Sequence, residues 1–283
     1  MLSYLHSYHA GNFADVLKHA SLTHTLHYLN QKPAPYFYMD THSGPGLYTL
    51  AAEESQKNCE YKNGIEPLWQ ARSLPDPLHA YREVIKSCNA LEGDPSQLSL
   101  YPGSPWIGSY LCREQDRITL CELHPRESQT LIKNFKGDRR IKMFSKDGFQ
   151  TAIAAMPPKE RRGLVLIDPP YEIKSDYDRV VEVLKACHKR FATGTYAVWY
   201  PVVNRHTIDR MLADIKATGI RNIQVFELGL ETDTSGRGMT SSGMIFINPP
   251  WTLWKAMEES LPFLAKQLGG KKGVYKMTQL VAE

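Results

Sequence analysis

The sequence predicts an α/β protein with a seven-stranded, mostly parallel sheet and a small helical insertion. Short apolar runs of strand length recur along the chain, and segments with helical periodicity separate several of them. The run at residues 164–167 holds four branched aliphatic side chains in succession, which is typical of a strand buried on both faces of a parallel sheet. Acidic residues end several of these runs, as expected at the edge where open parallel sheets bind ligands.

Hydrophobic patterns place the elements in chain order. The seven predicted strands are residues 35–40, 118–122, 141–144, 164–167, 196–199, 223–228 and 244–247. Residues 12–30 predict an N-terminal helix, and residues 208–217 predict a helix between the fifth and sixth strands. Residues 231–243 lack apolar periodicity and predict a polar loop.

The segment between the first and second strands is too long for a single crossover helix. Because residues 79–91 have helical periodicity, we expect a helical insertion at about residues 50–100, within a single domain that spans residues 1–283. The insertion should close at Gly103, with Ser104 as the N-cap of the next helix. Amides at that helix start could hold a ligand carboxylate, and a plain capping role is the alternative.

Composition limits the possible classes of protein. A chain of 283 residues can bury a substantial core, and no run approaches the roughly 20 apolar residues of a membrane span. We therefore expect a cytoplasmic, monomeric protein that does not enter a membrane. The five cysteines are an odd number without a close pair, which favours reduced thiols. His6 and His9 have no evident third ligand, so no metal is expected.

The net charge of +4 permits an anionic partner without requiring one. Basic residues cluster along the chain, and if the clusters share one side of the site they would follow a phosphate backbone. The alternative is that each cluster is an ordinary solvated surface. The clusters are Lys133, Lys136, Arg139, Arg140 and Lys142; Lys159, Arg161 and Arg162; and Lys189, Arg190, Arg205 and Arg210.

The most informative motif follows the predicted strand at residues 164–167. It consists of Asp168, Pro169, Pro170 and Tyr171, and its two prolines prevent the strand from continuing. A proline restricts the preceding residue to an extended backbone, so the Asp168 carboxylate and the Pro169 carbonyl can point into one crevice. These two acceptors suit the two hydrogens of a nucleobase amine, and Tyr171 offers a face for stacking. We therefore assign all four residues to the catalytic site.

A plain alternative is a buried strand that ends in a Pro-Pro turn, with Tyr171 as a packing residue. A second copy of the pattern, at residues 248–251, follows the last predicted strand. A cofactor loop and acidic strand ends should precede the catalytic motif, and this order holds for Asp168. Too little chain follows Pro250 for a rearranged order, so we interpret the second copy as the exit of the last strand.

Polar residues at three earlier strand ends indicate a nucleoside cofactor. The loop at residues 41–46 carries His42 and two glycines, which let the backbone approach a ligand, although the spacing is not the G-x-G-x-x-G of dinucleotide sites. Glu122 could accept both ribose hydroxyls, and Asp147 could accept from an adenine amine. With Asp168, this order of acids describes a site for S-adenosylmethionine more closely than one for NAD. Each acid alone could equally be a turn residue or a helix cap.

The N-terminal helix changes character along one face. At about 100° per residue, apolar leucines share a stripe with Asp15, Lys18 and His19, so the inward face carries an acid, a cation and an imidazole. We interpret Lys18 and His19 as site residues, and the alternative is a partly buried helix start. The residues expected to line the mouth of the pocket precede this helix and are Tyr4, His6 and His9.

Several segments together resemble one family along the whole chain, namely the bacterial RlmJ-type adenine N6-methyltransferases of large-subunit ribosomal RNA. The resemblance implies a class I S-adenosylmethionine-dependent methyltransferase fold and methyl transfer to one adenine of 23S ribosomal RNA, with Asp168 as proton acceptor. The matching segments are residues 1–12, 14–19, 40–42, 101–105, 113–115, 122–125, 147–150, 168–172, 190–194, 199–203 and 238–243.

The resemblance also implies a set of ligand contacts. The implied cofactor contacts are His19, His42, Ser104, Glu122, Asp147, Gly148 and Asp168. The expected substrate-binding residues are Tyr4, His6, Lys18 and Tyr171, with the target adenine flipped out of its stack against Tyr171.

Two other functions stay open at this point. A DNA adenine N6-methyltransferase would use the same pocket, and the lack of a sizeable separate recognition domain only mildly favours RNA. A non-catalytic RNA-binding protein could share the scaffold, because a fold does not fix a function. The presence of Glu122, Asp147 and Asp168 argues against such a protein.

Overall fold

The computed structural model describes residues 5–233 and 238–283. Within these ranges the chain forms ten strands: β1 (Phe37–Asp40), β2 (Leu47–Thr49), β3 (Leu100–Pro102), β4 (Arg117–Cys121), β5 (Ile141–Phe144), β6 (Gly163–Ile167), β7 (Thr195–Val202), β8 (Ile223–Gly229), β9 (Ser241–Ile247) and β10 (Val274–Val281). The same ranges contain ten α-helices: α1 (Phe13–Asn30), α2 (Glu53–Asn58), α3 (Ile65–Gln70), α4 (Asp76–Asn89), α5 (Ser104–Leu111), α6 (Pro125–Phe135), α7 (Gly148–Ala155), α8 (Asp176–Arg190), α9 (Arg205–Ala217) and α10 (Leu253–Gly269).

Eight strands form one sheet, in the order β10-β8-β9-β7-β6-β1-β4-β5. The five strands from β5 to β7 in this order are parallel neighbours, and β9, β8 and β10 continue the sheet with antiparallel pairing. The predicted α/β fold with a mostly parallel sheet is confirmed. All seven predicted strands are present, with ends shifted by a few residues.

The predicted number of strands is wrong because β10 adds an eighth strand at the edge of the sheet. β10 pairs with β8 on one side only, and none of its residues is fully buried. An edge strand of this kind needs no run of apolar residues, so the pattern that reveals a buried strand is missing from its sequence.

The central strands are buried on both faces, as their apolar runs predict. In β6, Leu164 and Leu166 pack in the layer formed with α1, α4, α5 and α10, whereas Val165 and Ile167 pack in the layer formed with α7, α8 and α9. This alternation follows from the two-residue period of a strand. No helix in the described ranges is long and apolar enough to cross a membrane.

The segment between β2 and β3 is helical, and β2 and β3 pair with each other as a separate antiparallel ribbon. Its longest helix, α4, packs against α1 and α10. The helix after this segment, α5, starts at Ser104 with Gly103 as its N-cap, so the expectation that Ser104 caps the helix is wrong. Instead, Ser104 lies in the first turn, and its carbonyl oxygen accepts from the Tyr38 hydroxyl at 3.4 Å.

Parallel pairing decides which residues meet. The residues that follow β1, β4, β5, β6 and β7 lie at one edge of the sheet, which we call the carboxyl edge, and the residues that precede these strands lie at the opposite, amino edge. Every acid predicted to bind a ligand follows one of these strands. The carboxyl edge is therefore where the site should be found.

Candidate active site

A cavity of about 1040 Å³ opens at the carboxyl edge. Ligand pockets commonly measure roughly 300 to 1,000 Å³, so this cavity has room for a nucleoside cofactor together with a base. Tyr4 lies outside the described residues. The cavity is lined by the other predicted site residues: His6, Lys18, His19, His42, Ser104, Glu122, Asp147, Gly148, Asp168, Pro169, Pro170 and Tyr171.

Tyr171 is anchored to the strand beside β6. Its backbone is in the left-handed region, with φ at +51°, and this turns the chain sharply after the two prolines. Its hydroxyl donates to the Trp199 carbonyl oxygen at 2.7 Å, and its ring centroid lies 4.5 Å from that of Tyr177. Burial, helped by the charge of Asp168, raises the pKa of Tyr171 well above its usual value, so the hydroxyl keeps its proton.

Lys18 is a buried cation between two carboxylates. Its Nζ donates to Asp168 Oδ2 at 2.5 Å and lies 3.0 Å from Asp15 Oδ1. It also lies 5.8 Å from the ring centroid of Trp199. Burial disfavours the charged ammonium, but the two carboxylates outweigh burial and raise the pKa of Lys18 above its usual value. The ammonium therefore stays charged at the wall of the cavity.

Asp15 connects Lys18 to the mouth of the cavity. Its Oδ2 accepts from His6 Nε2 at 2.8 Å and from the Gly11 backbone amide at 2.9 Å. Burial opposes ionisation of Asp15, but the neighbouring His6, Lys18 and His19 hold its pKa well below the usual range. A continuous polar chain thus runs from the mouth of the cavity to the catalytic motif, through His6, Asp15, Lys18 and Asp168.

His19 lines the cavity with a buried ring, and one nitrogen of that ring is unsatisfied among the described residues. Its side chain is 1% exposed, and its Nδ1 shares a hydrogen bond of 2.7 Å with the Tyr101 hydroxyl. Its Nε2 is buried and has no hydrogen-bond partner in the described part of the chain. Burial lowers the pKa of His19 to about 3, so the imidazole is neutral at physiological pH.

The loop after β1 is fixed by buried hydrogen bonds. Asp40 does not line the cavity; its Oδ1 accepts from the His42 amide at 3.2 Å and its Oδ2 accepts from the Tyr38 hydroxyl at 3.2 Å. Burial raises the pKa of Asp40 to about 6. The His42 ring makes an edge contact with Phe149, 4.9 Å between centroids, and burial lowers the pKa of His42 to about 4.

Glu122 ties two strand exits together. Its Oε2 accepts from the Gly44 amide at 2.7 Å and its Oε1 accepts from the His124 amide at 2.7 Å. Burial raises the pKa of Glu122, and the two amides oppose this rise. Its carboxylate therefore faces the cavity in a fixed orientation.

Asp147 has a structural role beside its position in the cavity. Its Oδ1 accepts from the Phe149 amide at 2.9 Å and caps α7, and its Oδ2 pairs with Arg179 at 2.7 Å. Burial opposes the charge of Asp147, but Arg179 and the helix amides keep its pKa below the usual value. The helix-cap interpretation therefore applies to Asp147 in addition to its place in the cavity. Gly148 begins α7 very close to the loop that follows β1. A Cβ at Gly148 would stand 1.9 Å from the Thr41 carbonyl oxygen of that loop.

The basic clusters are not gathered beside the cavity as expected. The cations that precede β5, β6 and β7 lie at the amino edge, because those strands are parallel. Among the residues of these clusters, all of them described, Arg210 alone lines the cavity. Arg205 begins the same helix, α9, and pairs with Glu227 at 2.8 Å. Some amino-edge cations join separate elements, as Arg140 does by donating to the Ser109 carbonyl oxygen of α5 at 2.9 Å.

Among the cavity residues that were not predicted as site residues, three contact the predicted ones directly. Asp15 had a signal, since it lies three positions before Lys18 on the same face of α1. Trp199 ends a predicted strand, and the wall that it forms with Tyr171 depends on the pairing of β6 with β7. Arg179 lies in α8 and had no signal in the sequence. Within the described ranges, no group of three His, Cys, Asp or Glu side chains could hold a metal ion.

Comparisons with known proteins agree in one family. A family model described as RsmJ, "Ribosomal RNA large subunit methyltransferase D, RlmJ", matches residues 33–281. The chain is 52% identical over 268 residues to "Ribosomal RNA large subunit methyltransferase J" of Haemophilus influenzae. This match covers 95% of this chain and 94% of the relative. It is 50% identical, with the same coverage, to the protein of that name from Escherichia coli K12. A crystal structure of a Legionella pneumophila protein is similar at a TM-score of 0.87 and 39% identity, covering 95% of this chain and 98% of that one.

Proposed function

Because the chain belongs to the RlmJ family of ribosomal RNA large subunit methyltransferases, we propose that it transfers a methyl group from S-adenosylmethionine to N6 of one adenine in 23S ribosomal RNA. The observation that carries the adenine assignment is the wall formed by Asp168, Pro169 and Tyr171 beside Lys18. An amine that is to be methylated needs acceptors for its hydrogens and a surface for its ring, and this wall offers both.

The strand exits fit S-adenosylmethionine. The buried His19 Nε2 lacks a partner among the described residues, and buried polar atoms normally have one, so a ligand group at this point would satisfy it. Glu122 and Asp147 present carboxylates suited to ribose hydroxyls and an adenine amine. The residues that we propose to hold the cofactor are His19, His42, Ser104, Glu122, Asp147, Gly148 and Asp168.

S-adenosylmethionine, when bound, supplies an electrophilic methyl group. The chain supplies the acceptors for the adenine amine. Asp168 Oδ2 is held by Lys18, whereas no donor to Asp168 Oδ1 is found within the described ranges, so Oδ1 can accept one amine hydrogen. The Pro169 carbonyl accepts the other.

These two hydrogen bonds favour catalysis because the amine lone pair is delocalised into the adenine ring. Holding both hydrogens favours the pyramidal nitrogen of the transition state over the planar ground state. Methyl transfer from a bound cofactor would break the bond between the methyl carbon and the cofactor sulfur, leave a neutral thioether and place the positive charge on N6. N6 must then lose one hydrogen as a proton, and Asp168 receives that proton. Correct orientation alone can supply up to about 7–11 kcal/mol of the barrier reduction.

The target base is held by the Tyr171 ring. Flipping a base costs a few kcal/mol, and stacking on one aromatic ring returns roughly 1–3 kcal/mol. Tyr177 and Trp199 keep the Tyr171 ring in position. The proposed substrate-binding residues are Tyr4, His6, Lys18 and Tyr171.

The first test is to incubate the protein with radiolabelled S-adenosylmethionine and unmodified 23S ribosomal RNA and to digest the RNA to nucleosides. The label should appear in N6-methyladenosine. A double-stranded DNA of matched adenine content serves as the control, and we expect it to remain unlabelled. Label in a different nucleoside would contradict the adenine assignment. Label in DNA alone would show that the substrate is DNA rather than RNA. Absence of label in both, despite cofactor binding, would indicate a non-catalytic binding protein.

A further inference from the structure

The mouth of the cavity carries exposed aliphatic side chains. Among the described residues, eight large apolar side chains are substantially exposed, and three of these line the cavity. Leu123 follows β4 next to the proposed cofactor residues. Ile173 and Val203 are 58% and 52% exposed and follow β6 and β7, which are adjacent strands. Single exposed aliphatic residues are common on proteins, but here two of them follow adjacent strands and line the same cavity.

The position of this surface is fixed by the catalytic motif. Ile173 lies two residues beyond Tyr171, whose hydroxyl is bound to the Trp199 carbonyl oxygen of β7. Val203 follows the last residue of β7 and precedes Asn204, which accepts from the Thr207 amide and caps α9. Both aliphatic residues therefore lie just outside the wall that is proposed to hold the target base. We call them the apolar shelf.

The charges around the shelf are mixed. Lys174, next to Ile173, is exposed and forms no ion pair with any described residue. Arg210 pairs with Asp178 at 3.2 Å in an exposed position. The lining of the cavity includes all three charged residues, Lys174, Asp178 and Arg210. A surface made only for a phosphate backbone would be rich in unpaired cations, so the shelf suits flat, apolar base faces with a phosphate beside Lys174.

We propose that the apolar shelf, Ile173 and Val203, receives the bases that flank the target adenine, so that the substrate is an unpaired RNA segment. This inference rests on the proposed function and adds to it the class of RNA structure. In a duplex the flanking bases are stacked and paired and cannot lie on a shelf. In a loop or bulge they can splay out, which is how sequence-specific RNA recognition commonly occurs.

The test compares the wild-type protein with the double variant Ile173→Ser/Val203→Ser, using unmodified 23S ribosomal RNA. We expect kcat/KM for the RNA to fall about tenfold, mainly through KM, since a tenfold change corresponds to about 1.4 kcal/mol of lost contact. The Kd for S-adenosylmethionine, measured by calorimetry, should stay within twofold. Both side chains are exposed, so the substitutions should not lower the thermal unfolding temperature.

The control is Trp251→Ser. Trp251 is 80% exposed and follows β9, which runs antiparallel to β7, so it lies at the opposite edge of the sheet. This variant removes an apolar group that is even more exposed, and it should keep the wild-type kcat/KM. Equal values for the shelf variant and the wild type would reject the shelf and leave the proposed function intact. No N6-methyladenosine from the wild type would reject the proposed function itself.

A second measurement identifies what touches the shelf. After the modified position is mapped, short RNA substrates are made with an abasic nucleotide next to the target adenine. The abasic nucleotide should lower kcat/KM of the wild type about tenfold and have little further effect on the shelf variant, because both changes remove the same contact. Equal losses in the two proteins would show that the flanking base binds elsewhere, and full activity on a rigid duplex would contradict the requirement for an unpaired segment.

Discussion

The Lys18 ammonium lies between the Asp15 and Asp168 carboxylates with only 5% of its side chain exposed. Removing one member of a buried ion pair leaves an uncompensated charge, which commonly costs about 3–5 kcal/mol. We expect Lys18→Met to lower the free energy of unfolding by about this amount at pH 7, and to abolish methyl transfer. Urea denaturation monitored by circular dichroism measures the first effect.

The double variant Lys18→Met/Asp15→Asn separates stability from chemistry. It removes the uncompensated Asp15 charge, so it should recover at least half of the lost stability. Methyl transfer should stay absent, since Asp168 still lacks its cation. A single Lys18→Met variant that loses less than about 1 kcal/mol would show that the pair contributes little to the fold.

Asp168→Asn tests the proton acceptor directly. The amide keeps the shape of the carboxylate but cannot take a proton, and removal of an acid–base group commonly costs about 10²–10⁴ in rate. We expect a loss of this size in single-turnover methylation, with most of the affinity for S-adenosylmethionine retained. A variant within tenfold of the wild-type rate would mean that the proton leaves by another route.

Asp40 gives a pH-dependent prediction. Burial raises its pKa from 3.8 to about 6, so folding favours the protonated form. The stabilising effect of that form is complete below about pH 4 and is lost as the pH rises through 6. Asp40→Asn removes this titration, and a shift of about two pKa units corresponds to about 3 kcal/mol. Relative to the wild type, the variant should therefore gain about 3 kcal/mol of stability between pH 4 and pH 7, measured by urea denaturation across that range. If the difference in unfolding free energy between Asp40→Asn and the wild type did not change with pH, this account would be contradicted.

At the scale of the elements, the start of α7 shows how strand exits constrain each other. A Cβ at Gly148 would stand 1.9 Å from the Thr41 carbonyl oxygen, so α7 and the loop after β1 approach each other directly. Gly148→Ala must push them apart, and overpacking of this kind typically costs about 1–3 kcal/mol. We expect the affinity for S-adenosylmethionine, measured by calorimetry, to fall at least tenfold.

Gly137→Ala is the matched control for Gly148→Ala. Gly137 has a φ of +99°, and a Cβ at this residue would meet no atom within 4 Å, so the substitution strains the backbone without touching a neighbour. It should lower stability by about 1–2 kcal/mol and leave cofactor affinity unchanged. Similar affinities for both alanine variants would show that the contact between α7 and the β1 loop does not shape the cofactor site.

The elements also show which sequence signals are dependable. β6 was predictable because burial on both faces requires an uninterrupted apolar run. β10 was not, because an edge strand that is half exposed can have a mixed sequence. The cap of α5 was misassigned since Gly103 and Ser104 are both acceptable caps, and local preference cannot choose between them.

At the scale of the whole molecule, the positions of the cations follow from strand direction. Exposed cations such as Arg139 precede a parallel strand and lie at the amino edge, whereas Lys174 follows β6 and lines the cavity. Lys174→Ala should therefore lower kcat/KM for RNA and reduce the salt dependence of RNA binding by about one phosphate contact. Filter binding over a range of KCl concentrations measures this slope.

Arg139→Ala is the control for Lys174→Ala. It removes an exposed charge of the same sign at the opposite edge, and it should leave both kcat/KM and the salt slope unchanged. A larger effect of Arg139→Ala than of Lys174→Ala would mean that the RNA also binds the amino edge, and that the charge clusters predicted from the sequence act together after all.

The amino-acid pattern was sufficient to locate the strands that are buried on both faces of the sheet, and it placed Asp168, Glu122 and Asp147 at strand ends. This was possible because a run of apolar residues, and the acid that follows it, can both be recognised within a single segment of the sequence. Tertiary packing alone brings Lys18 into contact with Asp168, 150 positions further along the chain. It also decided that most basic clusters lie away from the cavity. Such pairings depend on strand order and on helix packing, which no single segment encodes.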